Sequence, residues 1–479
     1  MPLNRRQMPS RSALAGAGIM LVGSMEALLA APGAMADTAA TGGAVGYGPL
    51  VADPKGILAL PEGFSYRILP RTGVTTLESG QTTPSNHDGT GAFSAGGDDD
   101  DAVTLLVNNH DIDDPLSAAD DPVPHLDGLV YDPAAAGGCT VVEVADDSVR
   151  EWVGIAGTST NCAGGVTPWD TWLTCEETED KAGVNGMTKD HGYVFEVDPE
   201  HGSAANLNPK PIKALGRYAH EAVVVDSYRG HLYLTEDASK PNGLLYRWTP
   251  PVGFTHGPGK LRALADNAGV LDAMKCFDSA GLYVDDLSRA TQVGTVYRVN
   301  WVKVPDRDAV TTSVRKQFLA GEITRSRKLE GMWWGDGGAY FVSSYARTES
   351  PGTPHDGQVW FYDPRGGTIT LKVLLAVNTD PSQDGAYDGP DNITVSPFGG
   401  LVIAEDGDGV SHLFGATADG RTYPIARNEL NVGTAEAPEC SEFAGVTFSA
   451  DGKTLFANIQ DPGILLAITG PWSGDDGDD

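Results

Sequence analysis

Positive charge is scarce in this chain: 33 Lys and Arg stand against 65 Asp and Glu, a formal net charge of −32 at pH 7. A protein of that sign is a poor partner for nucleic acid or an anionic membrane. Long helical periodicities are few, while 60 Gly and 31 Pro punctuate the sequence, which points to an all-β, turn-rich body. There is no Gly-x-Ser-x-Gly elbow and no Gly-rich phosphate loop, which argues against covalent serine catalysis. Cysteine is sparse and odd in number, five in all. Cys139, Cys162, Cys276 and Cys440 either pair or are simply buried, and Cys175 is the candidate unpaired thiol.

The apolar run near the start is short, Gly-rich and carries Glu26, so it does not read as a membrane anchor. Arg5-Arg6 before it and Ala34-Met35-Ala36 after it read as an export signal of the twin-arginine type over residues 1–36. The expectation is a secreted or periplasmic protein with no stable anchor after cleavage. Residues 37–479 show no linker or composition break before the acidic tail after Trp472, and read as one domain and a monomer.

Within that span a Gly followed by an alternating apolar strand recurs at Gly128, Gly192, Gly243, Gly294 and Gly357, more weakly at Gly409 and Gly463. Spacings of about 50 to 64 residues with several strands per repeat predict a β-propeller, most simply six-bladed with one blade closed by strands from both chain ends. A second pattern is a strand ending in polar groups. Its column reads Asn109, Glu176, Glu236, Asp285, Ser343, Glu405 and Asn458. About 13 to 16 residues earlier, strands begin at Asn161-Cys162, His220-Glu221, Leu329-Glu330, Asp391-Asn392 and Glu442-Phe443, with turns such as Gly335–Gly338 between. Each start and end therefore forms a hairpin whose two ends meet, and radial hairpins bring both columns to one mouth of the channel.

Carboxylates gathered there cannot all be ionised unless cations lie between them. Glu176, Glu221, Glu236, Glu330, Asp391, Glu405 and Glu442, with Asn109, are thus candidate metal ligands. The richest copy is Trp169-Asp-Thr-Trp-Leu-Thr-Cys175-Glu176-Glu177, where a soft thiol beside hard carboxylates suits iron, zinc or manganese. His220 reads as a hydrogen-bonded core histidine in preference to a ligand. Asp98–Asp101 and Asp384 with Asp388 could take calcium, although short acidic runs are usually solvated loops. Arg217, Arg327 and Lys328 are the cations that could pair with this set.

The blocks Asn161-Cys-Ala-Gly-Gly through Thr174-Cys175-Glu-Glu, Gly216-Arg-Tyr-Ala-His-Glu221-Ala, Leu329-Glu330-Gly, Pro390-Asp391-Asn392 and Ser441-Glu442-Phe-Ala-Gly445, in this order, resemble the PhoX-type alkaline phosphatases over nearly the whole span after the leader. The resemblance implies a six-bladed propeller, twin-arginine export, and phosphomonoester hydrolysis at a cluster of ferric iron (Fe3+) and calcium (Ca2+). Cys175 matches the iron-binding cysteine of that family, and Glu176, Glu236 and Glu330 sit at its acidic motif positions. Asn161, Arg327 and Lys328 are the candidate groups acting on the phosphate of a small-molecule phosphoester. The chain departs from better-known members by having Arg327-Lys328-Leu329-Glu330 for an Arg-Pro-Glu-like block and Asn109-His110-Asp111 for Asn-His-Glu, which marks a divergent branch. A calcium-dependent lactonase or phosphotriesterase on a six-bladed propeller, or a non-catalytic binding propeller, are the rival readings; neither needs a thiol at the metal.

Overall fold

The computed structural model describes residues 45–95, 103–113, 121–145, 148–434 and 437–472. The leader at 1–36, the Asp98–Asp101 run and the acidic tail lie outside them. The described residues are all-β apart from short 3-10 turns, and no helix among them is long and apolar enough to cross a membrane.

Hairpins repeat one plan along the chain. They join His87–Ala95 to Val103–His110, Asn161–Val166 to Trp172–Glu176, His220–Val225 to Leu232–Glu236, Leu329–Gly335 to Gly338–Ser343, Pro390–Val395 to Leu401–Glu405, and Phe443–Phe448 to Thr454–Ile459. A third strand follows each on its outer edge: Gly137–Val144, Val194–Val197, Leu245–Thr249, His355–Asp363, His412–Ala416 and Ile464–Thr469. The first strands of successive hairpins touch in a closed circuit, the last returning to the first, which makes the arrangement propeller-like. Ser65–Arg71 pairs with Ile464–Thr469, so the sheet nearest the C-terminus is completed by a strand from near the N-terminus. Apolar cores fill the space between adjacent sheets, with Trp248, Trp360 and Tyr218 fully buried, the burial that drives such layers together.

The predicted repeats at Gly128 and Gly294, and the column position Asp285, fall elsewhere. Gly128 opens a loop holding one isolated bridge, Val130 to Ala156, and the third strand of that sheet begins instead at Gly137. Tyr283–Val284 is a two-residue strand on the flank of Val270–Phe277. Val296–Lys303, after Gly294, bridges Val270–Phe277 to Thr368–Ala376 and fuses two neighbouring sheets into one. Alternation alone could not separate such connecting strands from the inner hairpins, because both are half-buried extended segments.

The inner strands approach so closely that side chains are excluded at their crossings. A Cβ on Gly165 would collide with the Val223 carbonyl, and one on Gly331 would lie 2.8 Å from Asn392 Cα. A cavity of about 20 Å³ lies among these strands, lined by residues that include Gly89, Ala163, Gly331, Asn392 and Gly445.

Candidate metal centre

The ladder register defines the site. In every hairpin a residue opening the first strand pairs with one closing the second: His87 with His110, Asn161 with Glu176, His220 with Glu236, Leu329 with Ser343, Pro390 with Glu405, and Ala444 with Asn458. An irregularity follows each pair within three residues on the first strand. Bulges of this kind turn the adjacent side chain out of the pleat. The residues next to the pairs are then Asp88, Cys162, Glu221, Glu330, Asp391 and Gly445 on the opening side, and Asp111, Glu177, Asp237, Ser344, Asp406 and Ile459 on the closing side.

These neighbours converge. Ligand atoms of Cys162, Glu177 and Glu221 lie within 4.8 Å of one another, and so do those of Glu221, Glu330 and Asp391. Glu221 is common to both groups. Burial, reinforced by neighbouring carboxylates, pushes Glu177, Glu221, Glu330, Asp391 and Glu442 well above the carboxylate range. Asp88 is pushed up in the same way by burial and Asp111, and its Oδ1 is buried with no hydrogen-bond partner. Glu442 hydrogen-bonds Asp406 and comes from outside the repeat. Gly445, φ +62°, stands where the other hairpins carry a side chain, and a Cβ there would strike the Asp88 carbonyl.

Two like charges 4.8 Å apart at an effective dielectric near 20 repel by roughly 3.5 kcal/mol. The three pairs among Glu221, Glu330 and Asp391 would together cost about 10 kcal/mol, comparable to the whole stability of a folded domain. Among the described residues the one cationic side chain ion-paired inside the cluster is Lys328, with Nζ 3.0 Å from Glu330 and 3.5 Å from Asp237. The set must therefore carry protons or metal ions. Carboxylate oxygens suit hard cations such as calcium, and the lone thiol admits a softer transition metal, so the donors fit a mixed iron and calcium centre.

Of the residues picked from sequence, Glu221, Glu330, Asp391, Glu442 and Lys328 are brought together here. The others are not. Glu176 accepts from the Ser159, Gly192 and Tyr193 amides at 3.1, 2.9 and 3.1 Å and from His191 Nδ1 at 2.6 Å. Glu405 accepts from the Asp388 and His412 amides and from His412 Nδ1. Glu236 is held by the Tyr246 hydroxyl at 2.6 Å and by Arg315 at 3.1 Å. Asn109 donates to the Cys162 and Ala163 carbonyls and accepts from Trp172. Successive residues of a strand face opposite sides, so reading the paired column instead of its neighbour chose the face that fastens the hairpin to its sheet.

Cys175 is fully buried and packs among Leu173, Val194 and Val223, where burial pushes its thiol up; the thiol beside the carboxylates is Cys162. Asn161 is buried between the hydroxyls of Thr158 and Thr174. Arg327 pairs with Glu349, and Arg217 is spent on the carbonyls of Glu179, His191, Asp308 and Ala309. Asp285 pairs with Arg289 at the surface, and Asp384 is held by His412 and Arg427. His220 donates from Nε2 to Gly216 and stacks on Tyr218, with burial lowering its pKa to about 3, so it is a neutral core histidine. All five cysteines are free thiols.

Asp88, Asp237 and Asp406 are not singled out by the sequence reading, Glu177 and Asp111 appear in it only within their blocks, and Cys162 only within a strand start and as a paired or buried thiol, although a signal for some existed. Cys162 follows Asn161 as Glu221 follows His220, in strand starts already aligned.

A family model described as Alkaline phosphatase PhoX matches residues 45–153 and 145–463. Comparison with curated proteins returned no match. Among solved structures, Pseudomonas fluorescens PhoX in complex with vanadate, a transition state analogue, superposes with a TM-score of 0.64 at 18% identity, over 89% of this chain and 98% of that one. At that identity the likeness shows the fold. A gluconolactonase from Xanthomonas campestris matches at 12% identity over 85% of this chain and 100% of that one, with a TM-score of 0.36, too low to carry an argument.

Proposed function

The chain belongs to the alkaline phosphatase PhoX family, and from that premise we propose that it is an exported, metal-dependent phosphatase that hydrolyses phosphomonoesters in the acidic cup of a six-bladed propeller. The observation that carries this reading is the sharing of Glu221 between two ligand groups, since a carboxylate common to two sets is the arrangement that holds a pair of cations side by side. Cys162, Glu177 and Glu221 would hold the softer ion, assigned as ferric iron. Glu221, Glu330 and Asp391, with Asp88, Asp111, Asp406 and Glu442 around them, would hold calcium. When bound, such ions offset the charge on phosphoryl oxygens and acidify water.

The chain's own residues set the rest. An acidic protein has few side chains that attract a phosphate dianion, and Lys328 is the ammonium that such a group would meet inside the cup. The inner strands cross closely at their glycines, and on this reading the phosphate would sit among the carboxylates with the leaving group toward the mouth. Specificity for small phosphoesters, with no nucleic-acid or membrane partner, follows from that geometry and the net charge. Residues 1–36 would direct export, and the remainder would act as a single-domain monomer.

The test is hydrolysis of p-nitrophenyl phosphate by the metal-replete protein, alongside a simple lactone and a phosphotriester. Turnover of the monoester that chelation abolishes reversibly is expected. Strong turnover of the lactone or triester with none of the monoester overturns the proposal.

A further inference from the structure

Lys328 stands just before the strand Leu329–Gly335 with φ +36°, a left-handed conformation that a residue bearing a Cβ keeps only where its surroundings hold it. Here the Ser344 amide donates to the Lys328 carbonyl at 2.9 Å, pinning the turn across its own hairpin. From that turn the ammonium lies 3.0 Å from Glu330 Oε1 and 3.5 Å from Asp237 Oδ2. Asp237 follows the closing strand of one hairpin and Glu330 opens the next, so the ammonium spans the seam between two neighbouring hairpins.

The closing side of the hairpin that Glu330 opens lacks an acidic ligand, as does that of the hairpin ending at Ile459. Ser344 stands where other hairpins supply Asp111, Glu177, Asp237 and Asp406. Asp237 belongs to neither group whose donor atoms close to within 4.8 Å. A hard divalent ion takes six or more oxygen ligands, whereas an ammonium with three donors and a single charge is matched by two carboxylates.

Building on the reading of the cup as a cation site, we infer that Lys328 is a resident cation: its ammonium fills a position between Asp237 and Glu330, and removing it opens a site for a further divalent ion. The lysine substitutes for an ion at this seam and thereby sets how many ions the cup holds.

The test is calcium stoichiometry of the full chain, stripped by chelation and retitrated by equilibrium dialysis without phosphate, with thermal unfolding to confirm that each variant folds. Lys328→Met is expected to bind one further equivalent of calcium. Lys328→Arg is expected to keep the wild-type number, and Lys328→Met combined with Asp237→Asn to return to it. If the methionine variant does not fold, Lys328→Gln is read the same way. An unchanged stoichiometry in the neutral variants, or an equal gain in Lys328→Arg, overturns the inference. Should the wild type hydrolyse the monoester while the neutral variants gain no calcium, this inference falls and the proposed function stands; a wild type that takes up no divalent ion removes both.

Discussion

Adjacent residues Glu176 and Glu177 should respond to the same substitution in opposite ways. Glu176 is fully buried and accepts three backbone amides and a histidine N–H. In Glu176→Gln one carboxylate oxygen becomes an NH2 group, which faces at least one of those amides donor to donor. A buried donor left unsatisfied costs about 1–3 kcal/mol, and the remaining bonds lose their charge assistance, roughly another 1 kcal/mol. A loss of about 3 kcal/mol is expected. With an unfolding entropy near 2.1 cal/mol/K per residue over roughly 430 residues, that lowers Tm by about 3 °C. Metal content should not change. Glu177→Gln removes one of several crowded carboxylates whose proton affinity burial and Asp237 already raise, so the chelated protein should unfold at an equal or higher temperature while the metal-loaded protein loses bound ion. Scanning calorimetry and elemental analysis on both variants, with and without chelator, read the pattern. Metal loss in Glu176→Gln with an unchanged Tm would falsify the register assignment from which the whole site is built.

The two thiols give an independent check: Cys162→Ser should change the transition-metal content and any visible absorption, whereas Cys175→Ser should leave both intact. In chelated protein the folded-state pKa values of Glu221, Glu330 and Asp391 lie above the ordinary range. Their destabilisation is absent below the unfolded values near 4 and grows as pH rises through the folded ones, so the chelated Tm should fall from acid to neutral pH more steeply than the metal-loaded Tm. His191 gives the same downward slope with pH, here through the loss of a stabilising contribution. Glu176 and Asp132 raise its pKa against the cost of burial, so its contribution is full below about pH 6.5 and is lost as pH rises through the folded value. His191→Gln should therefore lower Tm more at pH near 6 than at pH near 9.

The propeller-like body was legible because two periodicities coincide: alternating strands after Gly, and hairpin ends in polar residues. Fold-level spacing survived the misplacement of Gly128, Asp285 and Gly294 because none of them changes how inner hairpins succeed one another. The site was legible only to within one residue. At the starts of strands the sequence singles out Glu221, Glu330 and Asp391, which the fold gathers within 4.8 Å of one another. At the ends, Glu176, Glu236 and Glu405 are as acidic as Glu177, Asp237 and Asp406, and composition cannot say which member of each pair is paired in the ladder. That choice is made by the bulge near every strand start, which has no consistent residue signature. Likewise Cys162 and Cys175 are both buried thiols, and only the fold tells which one meets Glu221.

Glu221 is the carboxylate on which both ligand groups depend, so the most direct measurement is the metal content of metal-replete Glu221→Gln against the wild type. The geometry predicts that the wild type holds both transition metal and calcium and that the single substitution depletes both together. Wild-type content in the variant, or a wild-type chain that takes up neither metal, would contradict the account.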